Sequence, residues 1–249
     1  GRSSYGSYLN LGQLLSTQSC RSKVHDEHFF IVIHQISELW LNIILHELDV
    51  AVSFVQEDQL SPVFKILSRV TKAQRQLLSL WDVVSTLTPT DYLRFRDSLG
   101  EASGFQSHQY RMLEFALGNK NSKLAEVFAH NPPIHTQVLQ QLNSPSLYDE
   151  ALRLMKRRGF SIPISSLERD WSKPYQPSDG VVSAWREVYL NTDTHWDLYE
   201  LAEKLIDLED QFQRWRFLHY KSVERLIGNR MGTGGTSGAS YLKKALELR

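Results

Sequence analysis

Apolar residues recur at spacings of three and four along most of this chain, which is the period of an α-helix with one buried face. Patterns with the period of two that is expected for strands are almost absent. The helical patterns cover residues 25–56, 60–87 and 193–229 in long form and 104–118, 121–130, 134–143, 146–158 and 181–191 in short form. The sequence therefore predicts an all-α protein, a helical bundle of long antiparallel helices with a small helical appendage.

The breaks in this pattern predict a single domain over residues 1–249, with the appendage at 120–180. Pro89 lies near a helix start, where a proline is tolerated, and Pro132–Pro133 is expected to break a helix. Residues 159–180 have no regular period and are expected to form a long surface connection. At 1.5 Å per residue, the long helices would each span roughly 40–50 Å, the proportion of an antiparallel bundle.

Two histidines fall within long apolar patterns. His34 lies in the apolar stripe of residues 25–56, and His219 lies in the equally apolar pattern of residues 193–229. A single histidine in a core is more often a hydrogen-bonded structural residue than a ligand. Two long helices that each direct an imidazole toward the core nevertheless form a candidate site.

Charge and cysteine content narrow the class of partner. The 249 residues contain 28 Lys and Arg against 28 Asp and Glu, so no overall field attracts nucleic acid or an anionic membrane. Cys20 is the single cysteine, which excludes a disulfide framework, a thiolate zinc site and an iron–sulfur cluster within one chain. No run of eighteen apolar residues occurs, and the first residues lack the features of a signal peptide. We expect a cytoplasmic protein with a small-molecule partner, no nucleic acid and no membrane.

Residue spacing excludes several metal sites that helical proteins build. No histidine follows a glutamate by three residues, and neither His-Glu-x-x-His nor Cys-x-x-Cys-His occurs. His25 and His28 flank two acidic residues and could bind a surface metal, although acidic capping of a helix start explains them more simply. A non-covalent haem with one histidine ligand survives this elimination, and His219 fits its requirements.

Four sequence blocks carry a resemblance to a known family: HDEHFFIVIHQISELW, TPTDYLRFRDSLGEASGFQSHQYR, QFQRWRFLHYKSVERLIG and GTGGTSG. Together they resemble tryptophan 2,3-dioxygenases, and the resemblance extends from SYGSYLNL to GASYLKKAL, with a length similar to the compact bacterial members. It implies a haem-dependent oxidoreductase that converts L-tryptophan and O₂ to N-formyl-L-kynurenine, the first step of the kynurenine pathway. The helical bundle would then enclose a haem pocket.

The resemblance also implies which residues hold the cofactor. One haem b per subunit is expected, with His219 of the WRFLH string as the proximal iron ligand. Ser103 and Gly104 in the SGF string match positions near the haem and the substrate. Trp81 is expected beside the haem as well, although an ordinary core position explains it equally.

At the indole end of the substrate, the resemblance implies a catalytic, orienting role for His34 of the FFIVIHQ string. The imidazole would hydrogen-bond the indole N–H without removing its proton. Phe30 lies one helical turn earlier on the same face and would pack on the indole ring.

At the amino-acid end, the resemblance implies that Tyr92 and Arg96 bind the carboxylate, an interaction for which arginine is the usual residue. Leu99 is expected on the pocket wall. Thr233, in the glycine-rich loop, would contact the amino-acid group through its hydroxyl. The neighbouring glycines would let this loop approach closely and close over the pocket.

The resemblance further implies a homotetramer in which residues 1–24 form an arm. Tyr5, Tyr8 and Leu9 of this arm would reach the active site of a neighbouring subunit. An alternative function from another class is a non-catalytic sensor of haem or tryptophan, which would keep the pocket without turnover.

Overall fold

A computed structural model describes residues 4–228 and 230–246, and within these ranges the chain contains helices and connections but no strand. The all-α class predicted from the periodicity is confirmed. The α-helices are α1 (Tyr5–Tyr8), α2 (Leu11–Leu14), α3 (His25–Gln56), α4 (Leu60–Val84), α5 (Pro89–Phe95), α6 (His108–Ala116), α7 (Ser122–Ala125), α8 (Pro132–Leu142), α9 (Leu147–Arg157), α10 (Ile164–Leu167), α11 (Asp179–Leu190), α12 (Trp196–Ile227) and α13 (Ala239–Ala245). Single 3₁₀ turns lie at Arg96–Leu99, Gly104–Gln106 and Glu126–Phe128.

The three longest helices, α3, α4 and α12, pack together as the central bundle. A short connection after Gln56 reverses the chain, so α3 and α4 are antiparallel. The Gln74 amide donates to the Leu208 carbonyl over 3.3 Å, and further along both helices Trp81 meets Trp215 at 5.7 Å between ring centroids. From the first contact to the second, the residue number rises along both α4 and α12. The helix α12 therefore runs parallel to α4 and antiparallel to α3.

The core of the bundle follows directly from the helical period. On α3, Ile44, Leu48, Ala51 and Val55 are spaced by four, three and four residues, and all of them are buried. Residues at this spacing share one helix face, so one stripe enters the core. By length and composition alone α3 is long and apolar enough to cross a membrane, and 17% of its qualifying window is buried within the chain. Here its stripe packs against α4 within the bundle.

Several short elements differ from the periodicity. Pro132–Pro133 begins α8 instead of breaking a helix, because a proline in the first turn removes no helical hydrogen bond. The pattern over 104–118 divides into a 3₁₀ turn and α6, since the Ser107 hydroxyl accepts from the Tyr110 amide and caps a new helix. The segment around Tyr92 forms α5, which begins at Pro89 as expected of a proline near a helix start, although the periodicity assigned no helix there.

The regions outside the bundle are smaller. Helices α7 and α8 pack around a separate apolar cluster, whereas α9 contributes to the main core. The arm contains α1, which is closed by a capping box between Ser4 and Ser7. The proposed divisions at 1–24 and 120–180 stay predictions.

Truncation of a core residue tests the bundle. Leu67 is fully buried on α4, and we expect Leu67→Ala to lower the free energy of unfolding by about 2–5 kcal/mol through lost burial and a cavity. Urea unfolding followed by circular dichroism measures the change. Leu190→Ala is the matched control, because Leu190 is 71% exposed. Equal effects of the two substitutions would contradict the proposed core.

Candidate functional site

One end of the bundle brings two histidines and two tryptophans into one region. The His219 ring stacks on Trp81 with 5.1 Å between centroids and 17° between planes, and Trp215 lies 5.0 Å from His219. His34 on α3 is close enough to His219 to interact with it electrostatically. The residues that the sequence placed on α3, α4 and α12 therefore share one end of the bundle.

His219 has the properties of a neutral nitrogen ligand. Burial, and to a smaller extent the charge of His34, lowers the pKa of His219 to about 4. An imidazole that resists protonation keeps a lone pair for a metal at neutral pH. The neighbouring Trp81 Nε1 is buried without a hydrogen-bond partner in the described chain. A neutral imidazole between flat aromatic side chains, beside an unused N–H donor, fits a planar apolar cofactor such as haem.

His34 has a defined tautomer. Its Nδ1 lies 2.7 Å from the Phe30 carbonyl oxygen, which can only accept, so Nδ1 carries the proton. In the neutral ring Nε2 is then an acceptor. Burial lowers the pKa of His34, while the hydrogen bond to Phe30 and the charge of Glu38 oppose this change. The His34 side chain is exposed to solvent in the single chain, so it does not fill the core as its place in the apolar stripe predicted.

An aromatic wall extends from His34 toward α5. The Phe30 ring lies 4.1 Å from the His34 ring and 5.8 Å from Tyr92, and Phe95 lies 5.4 Å from Phe30. Leu99 packs against the same cluster. Sequence reasoning missed Phe95, although its spacing of three from Tyr92 could have placed both on one face of a helix.

The polar side of this wall contains Tyr92 and Arg96. Burial raises the pKa of the Tyr92 hydroxyl, while the charge of Arg96 and a hydrogen bond from Arg96 oppose this change, so the hydroxyl stays protonated. Arg96 Nη2 donates to the Met231 carbonyl over 2.6 Å, and Arg96 Nε is buried without a partner. The guanidinium therefore retains a donor that no group of the described chain uses. Met231 was not identified from the sequence, since its contact joins residues 135 positions apart.

The glycine-rich loop lies over a turn that includes Ser103 and Gly104. The Thr233 hydroxyl donates to the Ala102 carbonyl over 2.6 Å. A Cβ on Gly234 would lie 2.7 Å from the Ser103 Cβ, so only glycine permits this approach. Between Arg96 and the loop lies an open groove of about 530 Å³, lined also by Asp97, Gly100 and Arg230. Ser103 thus contacts the loop in this structure, and Gly104 follows it as the first residue of the 3₁₀ turn.

The arm residues are not brought into this groove. Tyr5 and Tyr8 are 75% and 80% exposed, and Leu9 is exposed as well. At the start of α3, the Glu27 carboxylate accepts from the backbone N–H groups of Arg21 and Ser22 at 2.7 and 2.6 Å. This carboxylate therefore ties the segment before α3 to the helix instead of capping it, since the N-cap residue Val24 has no side-chain capping hydrogen bond. Across residues 4–228 and 230–246, no group of three or more His, Cys, Asp or Glu side chains could hold a metal ion.

A family model and individual known proteins that resemble this chain carry the same description. The family model described as tryptophan 2,3-dioxygenase matches residues 1–141 and 186–249. The tryptophan 2,3-dioxygenase of Shewanella woodyi is 54% identical over 98% of this chain and 86% of its own length. The enzymes of the same name from Bacillus thuringiensis and Myxococcus xanthus are 52% and 51% identical, over 98% and 100% of this chain and 88% and 86% of their own lengths.

The protonation state of His34 can be measured directly. We expect nitrogen NMR of the protein without added cofactor to find the proton on Nδ1 at neutral pH, with a pKa below the usual 6.5 because burial disfavours the charged ring. The His34→Asn variant assigns the resonances. A ring that titrates at or above 6.5, or that carries its proton on Nε2, would contradict this assignment.

Proposed function

The chain belongs to the tryptophan 2,3-dioxygenase family, and we propose that His219, His34 and Arg96 organise its reaction. The protein is an oxidoreductase that converts L-tryptophan and O₂ to N-formyl-L-kynurenine, the first step of tryptophan degradation by the kynurenine pathway. The observation that best supports the residue assignment is the placement of His34 and His219 at the same end of the bundle, beside an aromatic wall. Nothing in this region favours a non-catalytic sensor.

His219 is the residue proposed to hold haem b, with one haem per subunit. Members of this family depend on haem, and when bound it supplies the iron that activates O₂. The neutral imidazole of His219 suits the ligand role, because burial keeps its lone pair free of a proton. Trp81 and Trp215 would line this side of the cofactor. The unpartnered Trp81 Nε1 is available to a polar group at its edge.

His34 is proposed to orient the indole. Its Nδ1–H is held by the Phe30 carbonyl, so Nε2 accepts and the indole N–H of tryptophan is a matching donor. The imidazole needs to remove no proton for this role. Phe30 presents its ring 4.1 Å from the His34 ring, where it can pack on the indole face. Orientation of this kind lowers a barrier by fixing the reacting groups in one geometry.

Arg96 and Tyr92 are proposed to bind the carboxylate of tryptophan. Arg96 has an unpartnered Nε and gives Nη2 to the Met231 carbonyl, a weaker partner than a carboxylate. The substrate carboxylate would therefore replace this loop carbonyl. The protonated Tyr92 hydroxyl can donate to the same carboxylate, and the Thr233 hydroxyl lies in the adjacent loop. Leu99 closes the apolar side of the pocket.

Ser103 and Gly104 are proposed to serve the pocket through the loop that covers them. Gly234 lies against Ser103, and Gly104 begins the 3₁₀ turn beneath. When the loop closes over tryptophan, this turn would bring the Ser103 hydroxyl toward haem and substrate. Exclusion of water from the closed pocket would strengthen its hydrogen bonds.

A homotetramer is proposed as the working assembly, in the cytoplasm. Tyr5 and Tyr8 expose three quarters or more of their surface in the single chain, and such side chains at the tip of an arm are well suited to a neighbouring subunit's pocket. Leu9 would accompany them. The exposed Leu39 and Ile43 on α3 offer a further apolar surface for contact between subunits.

Turnover tests the proposed function. We expect haem-reconstituted, reduced protein to form N-formylkynurenine from L-tryptophan and O₂, followed by its absorbance. His219→Ala should fold but retain no stable haem, because the apolar pocket then offers no iron ligand. A wild-type protein that binds haem and tryptophan without forming product would overturn the function. A normal haem spectrum in His219→Ala would overturn the ligand assignment.

The arginine assignment has a matched control two residues away. Arg96→Ala should weaken L-tryptophan binding by about 1.5–3 kcal/mol, roughly tenfold to hundredfold, because a carboxylate loses its charged partner. Arg94 is exposed and pairs with Asp91 at 3.7 Å, so Arg94→Ala should leave binding unchanged. Calorimetric titration under anaerobic conditions measures both. Similar losses in the two variants would contradict a specific carboxylate contact.

A further inference from the structure

A buried ion triad lies beside the proposed pocket and is used by none of the roles above. Arg111 and Glu114 belong to α6 and Arg216 to α12, and these residues are 3%, 3% and 4% exposed. Arg216 Nη2 lies 3.0 Å from Glu114 Oε1, and Arg111 Nη1 contacts the other carboxylate oxygen. Buried charges are retained only with partners, so the triad ties α6 firmly to α12.

One end of the triad reaches the helix of the proposed haem ligand. Arg216 precedes His219 by three residues, so their side chains lie one helical turn apart. Arg216 also forms a hydrogen bond with Tyr110, whose ring lies 4.8 Å from Trp215, and Trp215 in turn contacts His219. The position of α6 is therefore linked to that of His219.

The other end of the triad reaches the turn beneath the glycine-rich loop. The Arg111 guanidinium lies 5.6 Å from the centroid of the Phe105 ring. Phe105 belongs to the 3₁₀ turn Gly104–Gln106, and its ring meets Tyr241 of α13 edge-on at 5.4 Å. Arg111 thus contacts the residue that joins this turn to the helix after the loop.

The loop itself rests on the same turn. Thr233 donates to the Ala102 carbonyl, and Gly234 lies directly against Ser103. A displacement of Phe105 would move this supporting surface and shift the Thr233 hydroxyl relative to Arg96. A small displacement of this kind lowers the effective concentration of groups that must act together.

We propose that Arg111 is a positioning residue for tryptophan binding, which fixes the Phe105 turn to the helix of His219 and thereby sets the surface on which the glycine-rich loop closes. This inference rests on the proposed function, because it assumes that the loop covers tryptophan. Arginine suits the role because a planar guanidinium pairs with a carboxylate at its edge while its face covers an aromatic ring. A lysine keeps the charge but cannot make both contacts in one geometry.

Arg111→Lys and Phe105→Leu test this role from the two sides of the contact. We expect each to raise the tryptophan dissociation constant and KM roughly three- to thirtyfold, the range of a partly desolvated cation–π contact. Haem content and kcat should stay close to wild type. Anaerobic calorimetry measures binding without turnover, and haem absorbance reports cofactor content. In the double variant, the increase should be smaller than the product of the two single increases, because both remove the same contact.

The chain offers a control with the same chemistry far from the pocket. Arg153 pairs with Glu150 at 2.9 Å, and its guanidinium lies 4.8 Å from the centroid of the Trp171 ring. Arg153→Lys should leave tryptophan affinity unchanged.

Trypsin cleavage after the exposed Arg230 gives a second measurement of the same effect. Tryptophan should protect the loop from cleavage less in Arg111→Lys than in wild type.

The outcomes separate the inference from the proposed function. If wild type binds and oxidises tryptophan while Arg111→Lys and Phe105→Leu keep wild-type affinity, the positioning role is overturned. Haem loss with unchanged affinity would assign the triad to structure alone and also overturn it. If Arg111→Lys fails to fold, Phe105→Leu decides, because it leaves every charge of the triad paired. A wild type that neither binds nor oxidises tryptophan contradicts the proposed function itself.

Discussion

The parallel packing of α4 on α12 is the constraint on which the rest of the structure depends. The hydrogen bond from Gln74 to Leu208 and the ring contact of Trp81 with Trp215 fix the register of these helices at successive levels. A shift by one turn would separate Trp81 from His219 by about 5 Å along the axis. Because α3 is held antiparallel to both, the same register decides that His34 and His219 lie at one end of the bundle and not at opposite ends.

The neutral state of the two histidines and the charged state of the triad have one physical origin. Burial lowers the pKa of His34 and His219, because a charged imidazole loses its hydration there, and at His34 the charge of Glu38 opposes this change. Arg216 lies one turn from His219. It stays charged because Glu114 Oε1 accepts a hydrogen bond from Arg216 Nη2 at 3.0 Å. Apolar surroundings thus keep the imidazole of His219 neutral, while a compensating anion preserves the charge of Arg216 one turn away.

The sequence predicted the long helices well and the connections poorly. The difference lies in how far apart in sequence the residues are that determine each element. Residues such as Ile44, Leu48 and Ala51 repeat a local period, so α3 could be recognised without knowledge of the fold. By contrast, the starts of α8 and α6 depend on single residues, Pro132 and Ser107. Their effect on a helix depends on where they lie relative to its first turn. The candidate residues came from the four sequence blocks that carry the family resemblance, and the roles assigned to them stay predictions. The contact of Arg96 with Met231 had no local signal, because it joins segments 135 residues apart.

That contact gives the proposed carboxylate site a competitor within the chain. While Met231 occupies the Arg96 guanidinium, the apparent affinity for a ligand equals the intrinsic affinity multiplied by the fraction of molecules in which the arginine is free. A carboxylate can displace the carbonyl, since a charge-assisted bond is the stronger one. An indole compound without a carboxylate, such as a simple amine, gains nothing from displacing it. On the proposed role of Arg96, the loop would therefore favour indole compounds that carry a carboxylate over those that lack one.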